Sequence, residues 1–259
     1  MLEDLYAGSL ADAASRQELV PISELEKLAL SALEPIDACS LLASGENIQV
    51  IAEIKRASPS KGNLALIPDP AALATNYQQA GAGAISVLTE QRSFLGSLHD
   101  LDKVRGAVSV PVLRKDFIAN EYQILEARAH GADIVLLIAA GLQTNVLVRL
   151  KAFVESLGMT AFIETHNEAE VELASSIGAK LVGINARDLT TFETDRDLFE
   201  SLAQKLPTDS IKVAESAVRG VEDVANYAKA GADCVLVGEA LVTGDATALI
   251  EAFRQIPKA

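Results

Sequence analysis

Apolar and polar residues alternate along this chain in blocks. Short runs dense in Val, Ile, Leu and Ala are separated by longer stretches in which apolar positions recur every three or four residues. The first kind reads as a strand buried on both faces, the second as an amphipathic helix laid over it. On this basis strands are predicted at 50–55, 84–89, 111–115, 133–138, 160–164, 181–185, 211–215 and 233–237. Helices are predicted at 70–80, 98–106, 120–130, 143–157, 167–177, 196–205, 220–230 and 245–254. Some carry start signals: Asp69-Pro70 is an N-cap followed by proline at the first helical position, and Thr144 or Asn145 opens VLVRLKAFV.

A repeat organises these elements. AGAGAISVL (80–88), HGADIVLLI (130–138), IGAKLVGIN (177–185) and AGADCVLVG (230–238) are variants of one phrase, spaced about 50 residues apart. Each offers a glycine to end a helix, a small residue to turn, and a β-rich run. Half that period is one βα unit, so the repeat marks alternate strands of an eight-unit chain. The length, 259 residues, suits a single (β/α)8 TIM barrel of ~250 residues. An open doubly wound sheet fits less well, because no G-x-G-x-x-G follows the first strand and near-equal units favour closure. Residues 1–48 lie outside the count. Their amphipathic stretches, 2–16 and 21–33, the second opened by Pro21 and stopped near Pro35, predict an N-terminal helical extension packed on the barrel. It belongs either under the floor or over the mouth, with 1–259 forming one domain.

Five of the apolar runs end on a polar group: VIAEIK at Lys55, PVLRK at Lys115, TAFIE at Glu164, LVGIN at Asn185 and IKVAE at Glu215. A buried strand has no reason to finish this way unless its end faces solvent or a ligand. In a parallel barrel these ends share one pole, where active sites lie. Composition narrows the ligand. A net charge of −14 and a pI near 4.7 argue against nucleic acid, and an anionic substrate would need a local basic pocket. No run approaches the ~20 apolar residues of a membrane span. The start lacks a basic segment leading into an apolar one, so a cytoplasmic protein is expected. Cys39 and Cys234 lack a partner motif and read as reduced thiols. The three histidines give no metal-ligand spacing. A monomer or weak homo-oligomer is expected.

Alternation assigns directions. Glu53 and Lys55 share a face and read as an ion pair, and the following loop offers Ser58, Ser60 and Lys61. Of Arg114, Lys115 and Asp116, either Lys115 alone or the other two point inward. A lysine there, desolvated near another cation, would have a lowered pKa and act as an acid or a Schiff-base nucleophile. Glu164 is its matching carboxylate, raised by burial or lowered by pairing. His166 reads as a turn residue, and His99 and His130 as helix-end residues. Asn185 and Arg187 point together as an amide and a guanidinium for a carboxylate. Ser216, Ala217, Gly238 and Glu239 fall on the loops after the last two strands, where such barrels bind phosphate through backbone N–H groups. The Glu239 carboxylate must then point away, and Glu215 faces the pocket. What emerges is acid–base chemistry by lysines and glutamates on a small phosphorylated, additionally anionic molecule.

The segments IAEIKRASPSKG, SVLTEQRSFLGS, PVLRKDFI, GINARDL and VAES together resemble the indole-3-glycerol phosphate synthase family, from about residue 48 to the C-terminus. The resemblance implies closure of 1-(2-carboxyphenylamino)-1-deoxyribulose 5-phosphate to indole-3-glycerol phosphate, with release of CO₂ and water and no cofactor. It implies Lys115 as general acid, Lys55 as a contact to the substrate's anionic groups oriented by Glu53, and Glu164 as a base coupled to Lys115. Asn185 and Glu215 would bind polar groups, Arg187 the carboxylate side, and Ser216, Ala217, Gly238 and Glu239 the phosphate. Phe94 and Phe117 would wall the anthranilate ring. Two departures stand out: Ala217 replaces a glycine usual in the family, and the chain has no tryptophan. Phosphoribosylanthranilate isomerase, a Schiff-base aldolase acting through Lys115 and a non-catalytic ligand-binding relative are the alternatives. The isomerase needs a strand-end cysteine, and the binder predicts loss of one of Glu53, Lys55, Lys115 or Glu164; all four are present.

Overall fold

The computed structural model describes residues 2–188 and 193–259. Eight parallel strands close a barrel: β1 (Gln49–Ile54), β2 (Ala84–Leu88), β3 (Val112–Lys115), β4 (Ile134–Ile138), β5 (Thr160–Thr165), β6 (Leu181–Asn185), β7 (Ile211–Glu215) and β8 (Cys234–Val237). Each pairs with its neighbours in sequence, and β1 completes the circle by pairing with β8, Val50 opposite Val235. The period of two sorts the side chains into layers. Ile51, Leu113, Ile134, Leu136, Phe162, Leu181, Val213 and Leu236 fill the barrel interior. Val50, Ala52, Ile85, Val112, Val135, Val182 and Ala214 face the helices outside.

Three helices precede the barrel: α1 (Leu2–Leu19), α2 (Ile22–Ser31) and α3 (Ala38–Ala43). Around it run α4 (Pro70–Gln79), α5 (Leu98–Ala107), α6 (Glu121–Ala129), α7 (Thr144–Ser156), α8 (Glu168–Ser176), α9 (Leu198–Ala203), α10 (Val221–Lys229), α11 (Glu239–Thr243) and α12 (Ala246–Phe253). Asp69 caps α4 as expected, accepting from the N–H groups of Ala71 and Ala72. The start of α7 differs from the expectation: Thr144 is already its first residue, and Gln143 occupies the cap position without a side-chain bond. The pattern also missed α3, α11, the 3₁₀ turn Ala139–Gly141 and a small hairpin pairing Ala57–Ser58 with Gly62–Asn63. All are too short to display a period.

The N-terminal extension meets both alternatives posed for it. At the mouth, α1 puts Tyr6 edge-on to Phe117 with centroids 5.6 Å apart, and Ser9 Oγ donates to Asp116 Oδ1 at 2.9 Å. Arg16 grips Glu126 with two bonds of 2.5 and 2.9 Å. Down the side, Leu25 and Ala29 of α2 pack on Tyr122 and Leu125 of α6. At the floor, α3 inserts Ala38 and Leu42 beneath the interior residues Ile211, Val213 and Cys234. A strap thus runs from one pole to the other.

Arg114 explains how α1 is held. It is wholly buried outside the sheet and bonds Thr89 Oγ1 (3.1 Å), Gln123 O (2.7 Å), Asp116 Oδ2 (3.0 Å) and Glu126 Oε2 (3.3 Å). Gln123 Nε2 reaches on to Ser9 Oγ at 2.9 Å. A buried guanidinium is tolerable only when compensated in this way. The direction left open by the alternation is therefore resolved: Arg114 faces the helices and Lys115 faces in.

Candidate active site

The strand ends surround a cavity of about 720 Å³, within the range for a small-molecule site. Every site residue anticipated from the sequence lines it: Glu53, Lys55, Ser58, Phe94, Lys115, Phe117, Glu164, Asn185, Arg187, Glu215, Ser216, Ala217, Gly238 and Glu239. Leu189, the last residue of the GINARDL motif, lies outside the described residues.

Lys115 is the centre of the charged half. Its Nζ donates to Glu164 Oε2 at 2.7 Å and to Glu215 Oε2 at 3.2 Å. Asn185 Nδ2 donates to Glu164 Oε1 at 3.0 Å, while its Oδ1 accepts from Ser216 Oγ at 2.7 Å and the Arg187 N–H at 3.0 Å. Across the barrel, Lys55 Nζ stands 2.7 Å from Glu53 Oε1, as their shared face predicted. Two glycines make room for this chemistry. A Cβ at Gly183 would lie 2.1 Å from Glu215 Oε1, and one at Gly238 would lie 2.3 Å from Glu53 Oε1.

These neighbours reverse one expectation. Burial works to lower the Lys115 pKa, but Glu164, Glu215 and Glu53 outweigh it and raise the value above that of a free lysine. Glu164, although buried, is held well below the usual carboxylate range by Lys115 and then His166. Burial and the charge of Glu164 push Glu215 up to about 8 against the pull of Lys115. The Lys115 cluster therefore holds an ammonium, one carboxylate and one carboxylic acid at neutral pH.

The opposite wall is apolar: Leu5, Phe94, Phe117, Leu136 and Ile138, with Phe94 and Phe117 centroids 6.1 Å apart. Phe94 sits on a loop wound around the buried Glu90 carboxylate, which accepts from the N–H groups of Arg92 (2.9 Å), Ser93 (2.7 Å) and Phe94 (3.0 Å). Over the rim, Arg187 donates to Ser60 Oγ at 3.0 Å and the Glu239 carboxylate pairs with Lys61. Ser216 and Ala217 both have left-handed backbones, with φ of 67° and 60°. A residue with a Cβ is strained there by about 1–2 kcal/mol.

Tyr6, Leu5, Asp116 and His166 belong to the site or its immediate support and were not foreseen as such. No pattern near residue 6 marks it as a neighbour of residue 117. His166 does bond Glu170 at the start of α8, as a turn residue would, but its Nε2 also lies 3.3 Å from Glu164 Oε1. Among the described residues, no group of three His, Cys, Asp or Glu side chains is arranged to hold a metal ion. Cys39 and Cys234 are free thiols.

A closed parallel barrel with lysines and glutamates gathered at its C-terminal pole, beside an apolar wall, defines a (β/α)8-barrel enzyme for acid–base chemistry on a small molecule. The chain belongs to the indole-3-glycerol phosphate synthase family, whose model matches residues 2–253. It is 56% identical over 256 residues to the indole-3-glycerol phosphate synthase of Leifsonia xyli subsp. xyli, covering 99% of this chain and 98% of that protein. The Mycobacterium avium protein of the same name is 54% identical over 251 residues, covering 96% and 92%. Solved structures with 14% identity share the fold alone. Thiamine phosphate pyrophosphorylase from Pyrococcus furiosus has a TM-score of 0.59 and covers 81% of this chain and 94% of its own. For the N-acetylmannosamine-6-phosphate 2-epimerase from Clostridium perfringens the TM-score is 0.61, with coverage of 84% and 96%.

Proposed function

We propose that the cleft converts 1-(2-carboxyphenylamino)-1-deoxyribulose 5-phosphate to indole-3-glycerol phosphate, CO₂ and water, the reaction of the family to which the chain belongs. The observation that carries the assignment of roles is the Lys115 ammonium, held between two buried carboxyl groups and facing the Phe94–Phe117 wall. The anthranilate ring lies on that wall. The ring carbon bearing the carboxylate attacks the ketose carbonyl, and Lys115 gives its proton to the oxygen as negative charge builds there. CO₂ leaves as the C–C electron pair returns to the ring, with the substrate's own iminium as the electron sink. Loss of the hydroxyl as water and of a carbon-bound proton completes the indole, with Glu164 the base and Lys55, oriented by Glu53, assisting the dehydration.

Arg187 and Lys55 take the carboxylate side, with Asn185, Glu215 and Ser58 holding polar groups. The N–H groups at Ser216, Ala217, Gly238 and Glu239 take the phosphate. The raised pKa of Lys115 favours this reading over a Schiff-base aldolase, whose lysine must be neutral to attack a carbonyl. Among the described residues, no helix is long and apolar enough to cross a membrane. The protein works in the cytoplasm as a monomer or weak homo-oligomer, without nucleic acid. Incubation with the carboxyphenylamino-deoxyribulose phosphate in metal-free buffer should raise indole fluorescence, and Lys115→Ala should abolish the rise. A Lys115→Ala protein of near-normal kcat would refute the role given to that residue.

A further inference from the structure

Glu164 and Glu215 share Lys115 and interact with each other, but their remaining neighbours differ. Glu164 has Lys115 on one oxygen and both the Asn185 amide and the His166 ring beside the other. Glu215 has Lys115 and Glu164 itself as its side-chain neighbours, and its Oε1 is buried without a hydrogen-bond partner. The asymmetry originates outside the cavity. His166 sits just beyond β5, largely buried, with Nδ1 3.2 Å from Glu170 Oε2 and its backbone N–H bonded to the same oxygen at 2.8 Å. Its Nε2 approaches Glu164 at 3.3 Å but misses hydrogen-bond geometry, so the contact is one of charge. The ring is thus flanked by two carboxylates.

We propose that His166 is a positioning residue that keeps the proton shared by the two site carboxyl groups on Glu215 and leaves Glu164 ionised until it acts as the base of the final dehydration. The inference rests on the reaction assigned above. It matters most after Lys115 has passed its proton to the carbonyl oxygen. The lysine is then neutral, and two carboxyl groups holding one proton face each other in a dry site, where like charges cannot both persist. Were the proton to settle on Glu164, no base would remain for the final dehydration. An imidazolium behind Glu164 prevents this without touching the substrate and without any proton beyond the one already present. The groups that face the pair are Lys115 from β3, Asn185 from β6, Tyr6 from α1, Glu170 from α8 and, more remotely, Glu53 from β1. None of these besides Lys115 and His166 is a cation. The balance of charge agrees, since Glu164 and Glu170 raise His166 to about 10 against the effect of its burial.

The test is the pH profile of kcat/KM for wild type, His166→Gln and Glu170→Gln. In His166→Gln the acid limb should move up by about one pH unit, the lower range for losing a neighbouring opposite charge. KM for the substrate should change little, and Glu170→Gln, which leaves the imidazole charged in the acid range, should move the limb far less than His166→Gln. A lower Tm with an unmoved profile in His166→Gln would mean that the residue only shapes the turn, and would overturn the inference while leaving the reaction intact. Wild-type protein that forms no indole product would overturn both. Should His166→Gln not fold, carboxyl-carbon NMR of Lys115→Met, which removes the shared cation, decides the matter. The proton on Glu215 supports the inference, and the proton on Glu164 overturns it.

Discussion

The two poles of the barrel are built from opposite materials. At the floor, α3 seals the strand starts with Ala38 and Leu42 against Ile211, Val213 and Cys234, an apolar plug whose helix end is tied down by hydrogen bonds from Lys258 Nζ to the Ala43 carbonyl and from Gln49 Nε2 to the Ser44 carbonyl. At the mouth, the same chain segment is held by Ser9, Arg16, Asp116, Gln123, Glu126 and the wholly buried Arg114. The floor could be closed by any well-shaped apolar group. The mouth cannot, because it must hold charged side chains at defined positions in a dry setting, and unpaired charge there is far more costly than a small void. Stability and chemistry are segregated to the two ends.

That contrast can be broken at either pole. The largest effect should come from Lys115→Ala, with kcat reduced at least ~100-fold, the lower range for a lost general acid, and little change in substrate affinity. At the floor, Leu42→Ala should destabilise by about 2–5 kcal/mol in urea unfolding while kcat and KM at a permissive temperature stay near wild type. Loss of activity in step with that destabilisation would show that the poles are coupled through the strap.

A pH experiment sharpens the comparison further. Glu215 titrates near 8 in the folded protein and near ~4.3 unfolded, so the folded state binds the extra proton between these values. Its contribution is complete below ~4.3 and is lost as the pH rises through about 8. His166 behaves likewise between ~6.5 unfolded and about 10 folded. Stability should therefore decline from neutral to alkaline pH. Glu215→Gln should flatten the part of that decline ending near 8, and Leu42→Ala should lower the whole curve without changing its shape. Thermal melts across the range separate the two. The smallest effect should be that of Ala217→Gly, which relieves a left-handed backbone and should stabilise by about 1 kcal/mol; an unchanged or lower Tm would count against strain at this position.

The same division governs what was legible in the sequence. The strands were predicted to within about one residue because each is an unbroken apolar run between turn signals, and Leu181–Asn185 and Ile211–Glu215 fall where expected. The polar strand ends marked the cleft because burial and charge conflict there. What escaped depends on contacts distant in sequence. Nothing local to Tyr6 announces Phe117, and nothing in His166 distinguishes a turn residue from a neighbour of Glu164. The pKa of Lys115 was misjudged because its sign depends on which strand ends lie across the barrel. Registers and neighbours of that kind are properties of closure, not of any single segment. Ala217 is the converse case, where the departure from the family's usual glycine falls on a backbone with a φ of 60°.

The strap also sets an order of events. On a growing chain α1 to α3 emerge first, yet their partners come late. Tyr6 awaits Phe117 and Gly141, Arg16 awaits Glu126, and Leu42 awaits Cys234, whose thiol lies 3.9 Å from the Leu42 carbonyl oxygen. These helices thus emerge before the partners they need: α1 and α2 can dock once α6 is made, whereas α3 has no complete seat until the eighth strand leaves the ribosome. A nascent chain stalled before residue 234 would carry an exposed N-terminal apolar face, the kind of surface that chaperones bind.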